Sequence, residues 1–317
     1  MATAPHEGGS GSTGGVPVEP PQRLARAVQD EHGAAGGAWL ATVPERVQGL
    51  LDRWKLTVER VWTPGGRGSL LVLVYQADGA PAVLKLGANA ERVERECAAL
   101  THWGGSGAVR ILRSECPEGA LLLERLHGEV SLRSLPEPKS MLEAAETVRR
   151  LWVPPPTGHA FPSVSDHTAA QAAALRAARD QPWAADVGPL IDEALAVHAE
   201  LIAASPESLL LHGAYQQGKV LAGDRTPWLA IAPEPVVGER AYDLAWLARD
   251  RLDTLIALPG ASNAARRRVN KLADSLELDR DRLRGWALFR SVAAGVRRLS
   301  RSERDEGELL LEFAGWL

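Results

Sequence analysis

Residues 210–245 read LLHGAYQQGKVLAGDRTPWLAIAPEPVVGERAYDLA, and the interpretation of the whole chain depends on this stretch. A short apolar segment leads into a loop at 212–221. Turn-forming residues at 222–227 follow, and the apolar run 228–231 is typical of the return strand of a hairpin. Two prolines end that strand, and GERAYDLA at 238–245 enters a helix. The stretch therefore predicts a loop, a strand pair and a helix start, in that order.

Two motifs within this stretch resemble the catalytic core of the aminoglycoside and hydroxyurea phosphotransferases, of the streptomycin 6-phosphotransferase type. Members of that family carry H-G-D-x-x-x-x-N in the catalytic loop and a later I-D-P. Here the first motif is HGA at 212–214 followed by Lys219, and the second is IAP at 231–233. The resemblance covers about residues 38–300, through runs such as PAVLKLG, GAVRIL and GERAYDLAWLARDR. It implies an α+β, bilobal, protein-kinase-like fold with a small β-rich N-lobe and a larger helical C-lobe.

The patterning along the chain agrees with such an organisation. Alternation of apolar residues predicts a three-stranded meander over 56–86, and the runs 107–112 and 120–126 predict two more strands. Apolar residues at helical spacing predict the following helices: 21–32, 39–54, 91–100, 140–152, 168–179, 189–204, 242–257, 263–277, 279–299 and 306–317. The predicted division is a disordered tail, an N-lobe and a C-lobe with a degenerate catalytic loop: residues 1–20, 21–126 and 127–317.

Composition excludes several classes of protein. Hydrophobic residues make up 45% of the 317 and charged residues 24%, which is ordinary for a globular protein. The net charge of −4 gives no broad basic surface, so no nucleic-acid partner is expected. The sequence has no apolar run long enough for a membrane span and no secretory signal, which favours the cytoplasm. Cys97 and Cys116 are accordingly expected to be buried thiols rather than a bridge.

Three residues that the resemblance places at decisive positions differ from the family pattern. In phosphoryl transfer one Asp orients the attacking hydroxyl, and an Asn and a second Asp hold Mg²⁺. Ala214, Lys219 and Ala232 stand at these positions here. The three differences move the local charge by about three units toward positive. Magnesium prefers oxygen ligands, and an ammonium repels a metal but attracts an anion. The sequence therefore predicts no metal, no cofactor and no ATP-dependent transfer.

Other family positions are kept. Lys85 lies in a strand-like run and resembles the lysine that holds phosphates, and Glu96 stands where the family has its partner glutamate. The alternatives are that Glu94 is the partner, or that the lysine lies at the surface. Glu124 ends the last strand before the hinge, where relatives bind adenine, and is a candidate ligand-binding residue.

The remaining candidate catalytic residues are Glu234, His212 and Asp243. Glu234 is bounded by two prolines that would aim it. Beside hydrophobic walls its pKa would rise and it could act as general acid or base, although a solvent-facing glutamate is an equal alternative. In the family, His212 and Asp243 would mainly brace the loop. Three neighbours are candidate ligand-binding residues: Tyr215, Gln216 and Gln217.

These observations favour a kinase-fold pseudo-phosphotransferase repurposed for ATP- and metal-independent acid/base chemistry in bacterial secondary metabolism. The reaction would be a condensation or cyclisation, for example of the Pictet–Spengler type, on a small molecule with an anionic group and an aromatic ring. Lys85 and Lys219 would hold the anionic group. Two alternatives stay open: a non-catalytic small-molecule-binding or regulatory pseudokinase, and a residual aminoglycoside or hydroxyurea phosphotransferase.

Overall fold

The structure, a computed structural model, describes residues 18–317, so nearly all of the predicted tail at 1–20 lies outside the described residues. The chain forms two compact units. Among the described residues, the first comprises 18–90 together with 112–125, and the second comprises 91–111 and 126–317. The segment 91–111, which the sequence assigned to the N-lobe, clusters with the second unit.

The first unit is a helix on a five-stranded antiparallel sheet. Helix α1 spans Gln22–Trp54 and is interrupted at Gly33, whose φ is +54°, in agreement with the two helices predicted there. The strands are β1 (Thr57–Val61), β2 (Ser69–Tyr75), β3 (Pro81–Gly87), β4 (Ile111–Glu115) and β5 (Ala120–Glu124). Their order in the sheet is β1-β2-β3-β5-β4, which confirms the predicted meander.

The core of the first unit lies between α1 and the sheet. Val43, Val47 and Leu50 of α1 form one buried cluster with apolar side chains of β2 and β3, such as Val72 and Leu84. Burying each side chain of this size contributes about 1.5–3 kcal/mol. The strand predicted at 107–112 begins only at Ile111.

The second unit is mainly helical. Its helices are α2 (Ala90–Trp103), α3 (Glu137–Arg149), α4 (Val164–Arg179), α5 (Gly188–Ala203), α6 (Arg240–Ala248), α7 (Leu252–Ile256), α8 (Ala261–Ser275), α9 (Arg280–Leu299) and α10 (Arg304–Gly315). Helix α9 is central, since it packs against α4, α5, α6, α8 and α10. Its Trp286 and Phe289 are buried, and the Trp286 indole donates to the Glu239 carboxylate at 2.6 Å. That contact ties the start of α6 to α9.

The helix predicted over 242–257 is two helices, because the backbone turns at Arg251. Its φ is +54°, a region that L-residues rarely adopt. The Arg251 side chain donates to Gln217 Oε1 at 2.6 Å and to the carbonyl of Leu135 at 2.9 Å. These bonds favour the break in the helix at Arg251. Because Gln217 and Leu135 are distant in sequence, the spacing of apolar residues along the helix cannot predict it.

Short strands frame the loop that opened the sequence analysis. They are β6 (His127–Ser131), β7 (Leu209–Leu211), β8 (Val220–Ala222), β9 (Trp228–Ala230) and β10 (Val236–Gly238). Strands β8 and β9 form the predicted hairpin, β6 adds to β8, and β7 pairs with β10. The loop 212–219 therefore leaves a two-stranded ribbon and enters a three-stranded sheet.

The length of the helices and the state of the two cysteines test two further expectations from the sequence. Within residues 18–317, none of the helices has the length and apolar character that crossing a bilayer requires. Both cysteines lie in the same range, and neither Cys97 nor Cys116 is a free thiol. The expectation of two buried thiols is therefore wrong.

Candidate functional site

The start of the loop is fixed by the Asp243 carboxylate. This residue lies in the first turn of α6 and is fully buried. It accepts hydrogen bonds from the backbone N–H of His212 at 2.9 Å and of Gly213 at 2.6 Å, and from the Trp152 indole at 3.2 Å. Burial raises the pKa of Asp243, and the two backbone N–H groups act against that rise. With three donors on it, this carboxylate is placed to position the loop.

The His212 ring joins the loop to the segment after β9. Its Nε2 lies 3.1 Å from the carbonyl of Ile231, which can only accept, so Nε2 carries the proton. Burial, followed by the charge of Lys219, lowers the pKa of His212 to about 3. The ring is therefore neutral at neutral pH. Its Nδ1 is buried and has no hydrogen-bond partner within residues 18–317.

Gly213 lets these two segments lie side by side. Its φ is +76°, and a Cβ at this position would stand 1.9 Å from the carbonyl oxygen of Glu234. The Glu234 N–H in turn donates to the carbonyl of His212 at 2.9 Å. A side chain at position 213 would force the segments apart, so glycine is required for the contact.

Lys219 crosses between the same two segments. It ends a short 3-10 turn, and its carbonyl accepts from the Ile231 N–H at 2.9 Å. Its Nζ donates to the Ala232 carbonyl at 3.2 Å and lies 3.7 Å from Glu234 Oε1. Ala232 has a φ of +50°, a strained conformation for alanine that Asn and Asp adopt more readily. The Lys219 ammonium thus contacts the IAP motif at 231–233.

The Glu234 carboxylate lies among cations. Its side chain is 42% exposed, and Oε1 is 3.2 Å from Arg92 Nη2 of α2 as well as 3.7 Å from Lys219 Nζ. Burial alone would raise the pKa of Glu234, but Lys219, Arg92 and Arg290 outweigh it and hold the pKa below its usual value. The expectation of a raised pKa is therefore wrong, because the walls are cationic rather than hydrophobic.

Two of the polar residues predicted to bind a ligand are buried under the loop. Tyr215 donates from its hydroxyl to the Ala144 carbonyl at 2.8 Å. Gln217 accepts from Arg251 at 2.6 Å, and its amide lies 3.3 Å from the Met141 sulfur. These contacts hold the loop against the helical core of the second unit. Gln216, the third of these residues, is half-buried. Ligand binding by the three residues stays a prediction.

The remaining predicted ligand-binding residues are spread over both units. In the first unit, Lys85 is buried in β3, and Glu124 is half-buried at the end of β5. Glu96 is buried in α2 and belongs to the second unit. The Lys85–Glu96 ion pair and the ligand-binding role of Glu124 stay predictions.

The residues at the two motifs do not fit a magnesium ion. Ala214 and Ala232 offer methyl groups, and the Lys219 ammonium already bonds the Ala232 carbonyl. A dication there would face a fixed positive charge instead of carboxylate oxygen. Over the part of the chain that the structure describes, no group of three or more His, Cys, Asp or Glu side chains is placed to hold a metal.

Comparison with known proteins gives the family. A family model described as aminoglycoside/hydroxyurea antibiotic resistance kinase matches residues 53–302. The chain belongs to this family. It is 36% identical to a streptomycin 6-kinase of Streptomyces glaucescens, over 86% of this chain and 88% of the relative. It is also 36% identical to a hydroxyurea phosphotransferase of Kitasatospora aureofaciens, over 95% of this chain and 88% of that one.

Solved structures agree on the fold of this kinase family. The aminoglycoside phosphotransferase APH(4)-Ia, as a thermostable mutant in a ternary complex with ADP and hygromycin B, matches with a TM-score of 0.57. The match covers 84% of this chain and 96% of that one at 16% identity. Choline kinase LicA from Streptococcus pneumoniae matches with a TM-score of 0.59, over 86% and 96%, at 11% identity. The resemblance and the α+β kinase-like fold are confirmed.

Sequence reasoning missed three residues of this kinase-family site. Trp152 bonds Asp243, Arg92 pairs with Glu234, and Arg290 donates to the Gly213 carbonyl at 2.8 Å. A signal existed for Arg290, which interrupts the apolar face of α9 and is nevertheless buried. A cation in such a face needs acceptors nearby. Arg92 gave no signal, since it comes from a charged run on α2.

Asp243→Ala tests the bracing role. The change leaves three donors without an acceptor inside the fold, so we expect a loss of about 3 to 5 kcal/mol in the free energy of unfolding. Urea denaturation followed by circular dichroism measures it. Asp253→Ala, at an exposed aspartate of α7, is the control and should change stability little. Equal stability of the Asp243 variant and wild type would contradict the role.

His212→Asn tests the buried neutral imidazole. The folded-state pKa lies below the unfolded value, so the unfolded chain binds more protons and stability falls as pH drops below about 6.5. Between pH 6.5 and 5, wild type should lose about 2 kcal/mol more than the variant. Denaturation at both pH values checks this, with His127→Gln at an exposed histidine as control. Parallel pH curves for wild type and His212→Asn would refute the assignment.

Proposed function

We propose that this member of the kinase family does not transfer phosphoryl groups and instead acts on a small molecule without ATP or metal. The observation that carries the proposal is the Lys219 ammonium, 3.2 Å from the Ala232 carbonyl and 3.7 Å from Glu234. Phosphoryl transfer depends on metal ions and on a residue that positions the nucleophile. Ala214 and Ala232 supply neither.

The proposed chemistry is proton transfer in a condensation or cyclisation. Glu234 is ionised at neutral pH, since its pKa is lowered, and is partly exposed, so it can accept a proton from a bound molecule. Lys219 would hold an anionic group of the substrate beside it. A ring closure of the Pictet–Spengler type in secondary metabolism fits these groups. The amine and the aldehyde lose water to form an iminium ion, and the aromatic carbon then bonds to the iminium carbon. Glu234 takes the proton that this aromatic carbon loses and passes it to water, so no phosphoryl donor is needed.

Glu234→Gln and Lys219→Met test this chemistry. The wild-type chain is incubated without ATP with tryptophan, whose carboxylate supplies the anionic group, and phenylacetaldehyde, and the products are followed by mass spectrometry. Loss of a general base typically lowers the rate by about 10²- to 10⁴-fold, so Glu234→Gln should be nearly inactive. Glu129→Gln, at an exposed glutamate of β6, is the matched control and should keep full activity. Unchanged turnover in both test variants would contradict the roles proposed for Glu234 and Lys219.

A second candidate is a non-catalytic binding protein. The observation in its favour is that Arg92 and Lys219 both approach the Glu234 carboxylate, which makes it a weaker base. A binder would be stabilised by its ligand and would return the ligand chemically unaltered. Thermal shift combined with product analysis on the same sample separates the two candidates.

A third candidate is residual phosphotransfer. It is favoured by the 36% identity of the chain to a streptomycin 6-kinase and to a hydroxyurea phosphotransferase. It requires ADP release from Mg·ATP in the presence of streptomycin or hydroxyurea. We expect none from the wild-type chain, and release that depends on the acceptor would overturn the proposal.

Restoring the family residues gives a gain-of-function test. The triple variant Ala214→Asp, Lys219→Asn, Ala232→Asp replaces two methyl groups and an ammonium by oxygen ligands. We expect it to bind Mg²⁺ in calorimetry where wild type does not. Lys219→Asn alone is the control, because it removes the repelling charge without adding carboxylates. Equal Mg²⁺ affinity in wild type and the triple variant would contradict our account of the motifs.

A further inference from the structure

Two arginines of the second unit lie against one tryptophan, and a third arginine follows on the same helix. The Arg249 guanidinium lies 3.6 Å from the centroid of the Trp246 ring, and that of Arg290 lies 5.0 Å from it. Arg249 Nη1 also donates to the Arg290 carbonyl at 3.3 Å. Arg297 stands two turns after Arg290 on α9, and its charge acts on Arg249. The end of α6 and one face of α9 thus share a group of cations.

No carboxylate neutralises this group directly. Across residues 18–317, no ion pair is formed by Arg249, Arg290 or Arg297. Arg249 and Arg290 are nevertheless buried, each with only 6% of its surface exposed. Burial lowers the pKa of Arg249 and Arg290, and partial burial lowers that of Arg297. Carboxylate charges oppose these shifts from a distance, namely those of Asp250 on Arg249, of Asp243 and Glu234 on Arg290, and of Glu234 and Glu303 on Arg297. Asp250, Asp243 and Glu234 already bond other groups: Asp250 the Gln217 N–H, Asp243 the loop N–H groups, and Glu234 pairs with Arg92 and Lys219. Unpaired buried cations are costly, so the cluster needs an explanation.

The same cluster has unused hydrogen-bond donors. The Trp246 indole N–H is buried and has no partner in the described part of the chain. Arg249 uses one of its N–H groups, and Arg290 uses two, on the carbonyls of Tyr242 and Gly213. A guanidinium and an indole can only donate. The cluster therefore lacks a negatively charged hydrogen-bond acceptor.

We propose that Arg249, Arg290 and Arg297, together with the Trp246 indole, form a binding site for a small oxyanion, a carboxylate or a phosphate. Guanidinium groups match the planar geometry of such anions and bind them by paired hydrogen bonds. Arg297 is exposed and gives the anion a way in, whereas Arg249 is held flat against Trp246. The inference goes beyond the proposed function, because the proposed chemistry uses neither Arg249 nor Arg297 nor Trp246, and only Arg290, which bonds the Gly213 carbonyl, is common to both sites.

The test uses the full chain with inorganic phosphate or benzoate, each compared with potassium chloride at equal ionic strength. Both oxyanions, or one of them, should raise the melting temperature above the chloride value. Calorimetry then gives a dissociation constant that Arg249→Met raises about tenfold or more, the value of one charge-assisted hydrogen bond. Arg297→Gln should raise it about threefold, since this side chain is exposed. Binding of phosphate alone indicates a phosphate ester as the natural ligand, and binding of benzoate alone indicates a carboxylate.

Arg284→Gln is the matched control. It lies on the exposed side of the same helix, pairs with Asp281 at 2.7 Å and should leave the dissociation constant unchanged. If Arg249→Met fails to fold, Arg297→Gln still decides the matter, because an exposed side chain is tolerant of substitution. No oxyanion effect beyond chloride in wild type, or equal affinity in Arg297→Gln and wild type, would overturn the proposal.

Discussion

The buried carboxylate of Asp243 is the contact on which the geometry of the second unit depends. It gathers the first two backbone N–H groups of the loop and the indole of Trp152 onto one residue of α6. Helix α6 is itself tied to α9 through Glu239 and Trp286. The loop is therefore positioned from the helical core.

The two motifs of the loop are held together by an ammonium. Lys219 bonds the Ala232 carbonyl and lies beside Glu234. The contact between the two segments also depends on Gly213 and on the His212 ring. The loop thus has internal bracing of its own, and the fold alone does not assign its reaction.

Most of the fold could be predicted from the sequence, because strand alternation and helical spacing are local signals. The meander β1 to β3 and the helices α8 and α9 follow from them. Strand β6, HGEVS, was missed because it is largely exposed and has no apolar alternation. The break at Arg251 was missed because its causes, Gln217 and Leu135, are distant in sequence.

The candidate site was less predictable for the same reason. The resemblance located Ala214, Lys219 and Ala232, but two of the charges that act on Glu234 come from helices α2 and α9. Together with Lys219, Arg92 and Arg290 hold its pKa down, whereas burial alone would raise it. Pairings between distant helices leave no trace in periodicity, so the electrostatics of a site need coordinates.

The backbone at Ala232 has a consequence for the residues that this position can accept. Its φ of +50° suits aspartate or asparagine better than alanine, so the main chain has the shape that an acidic residue favours. An aspartate could therefore occupy this position without any rearrangement of the scaffold around it.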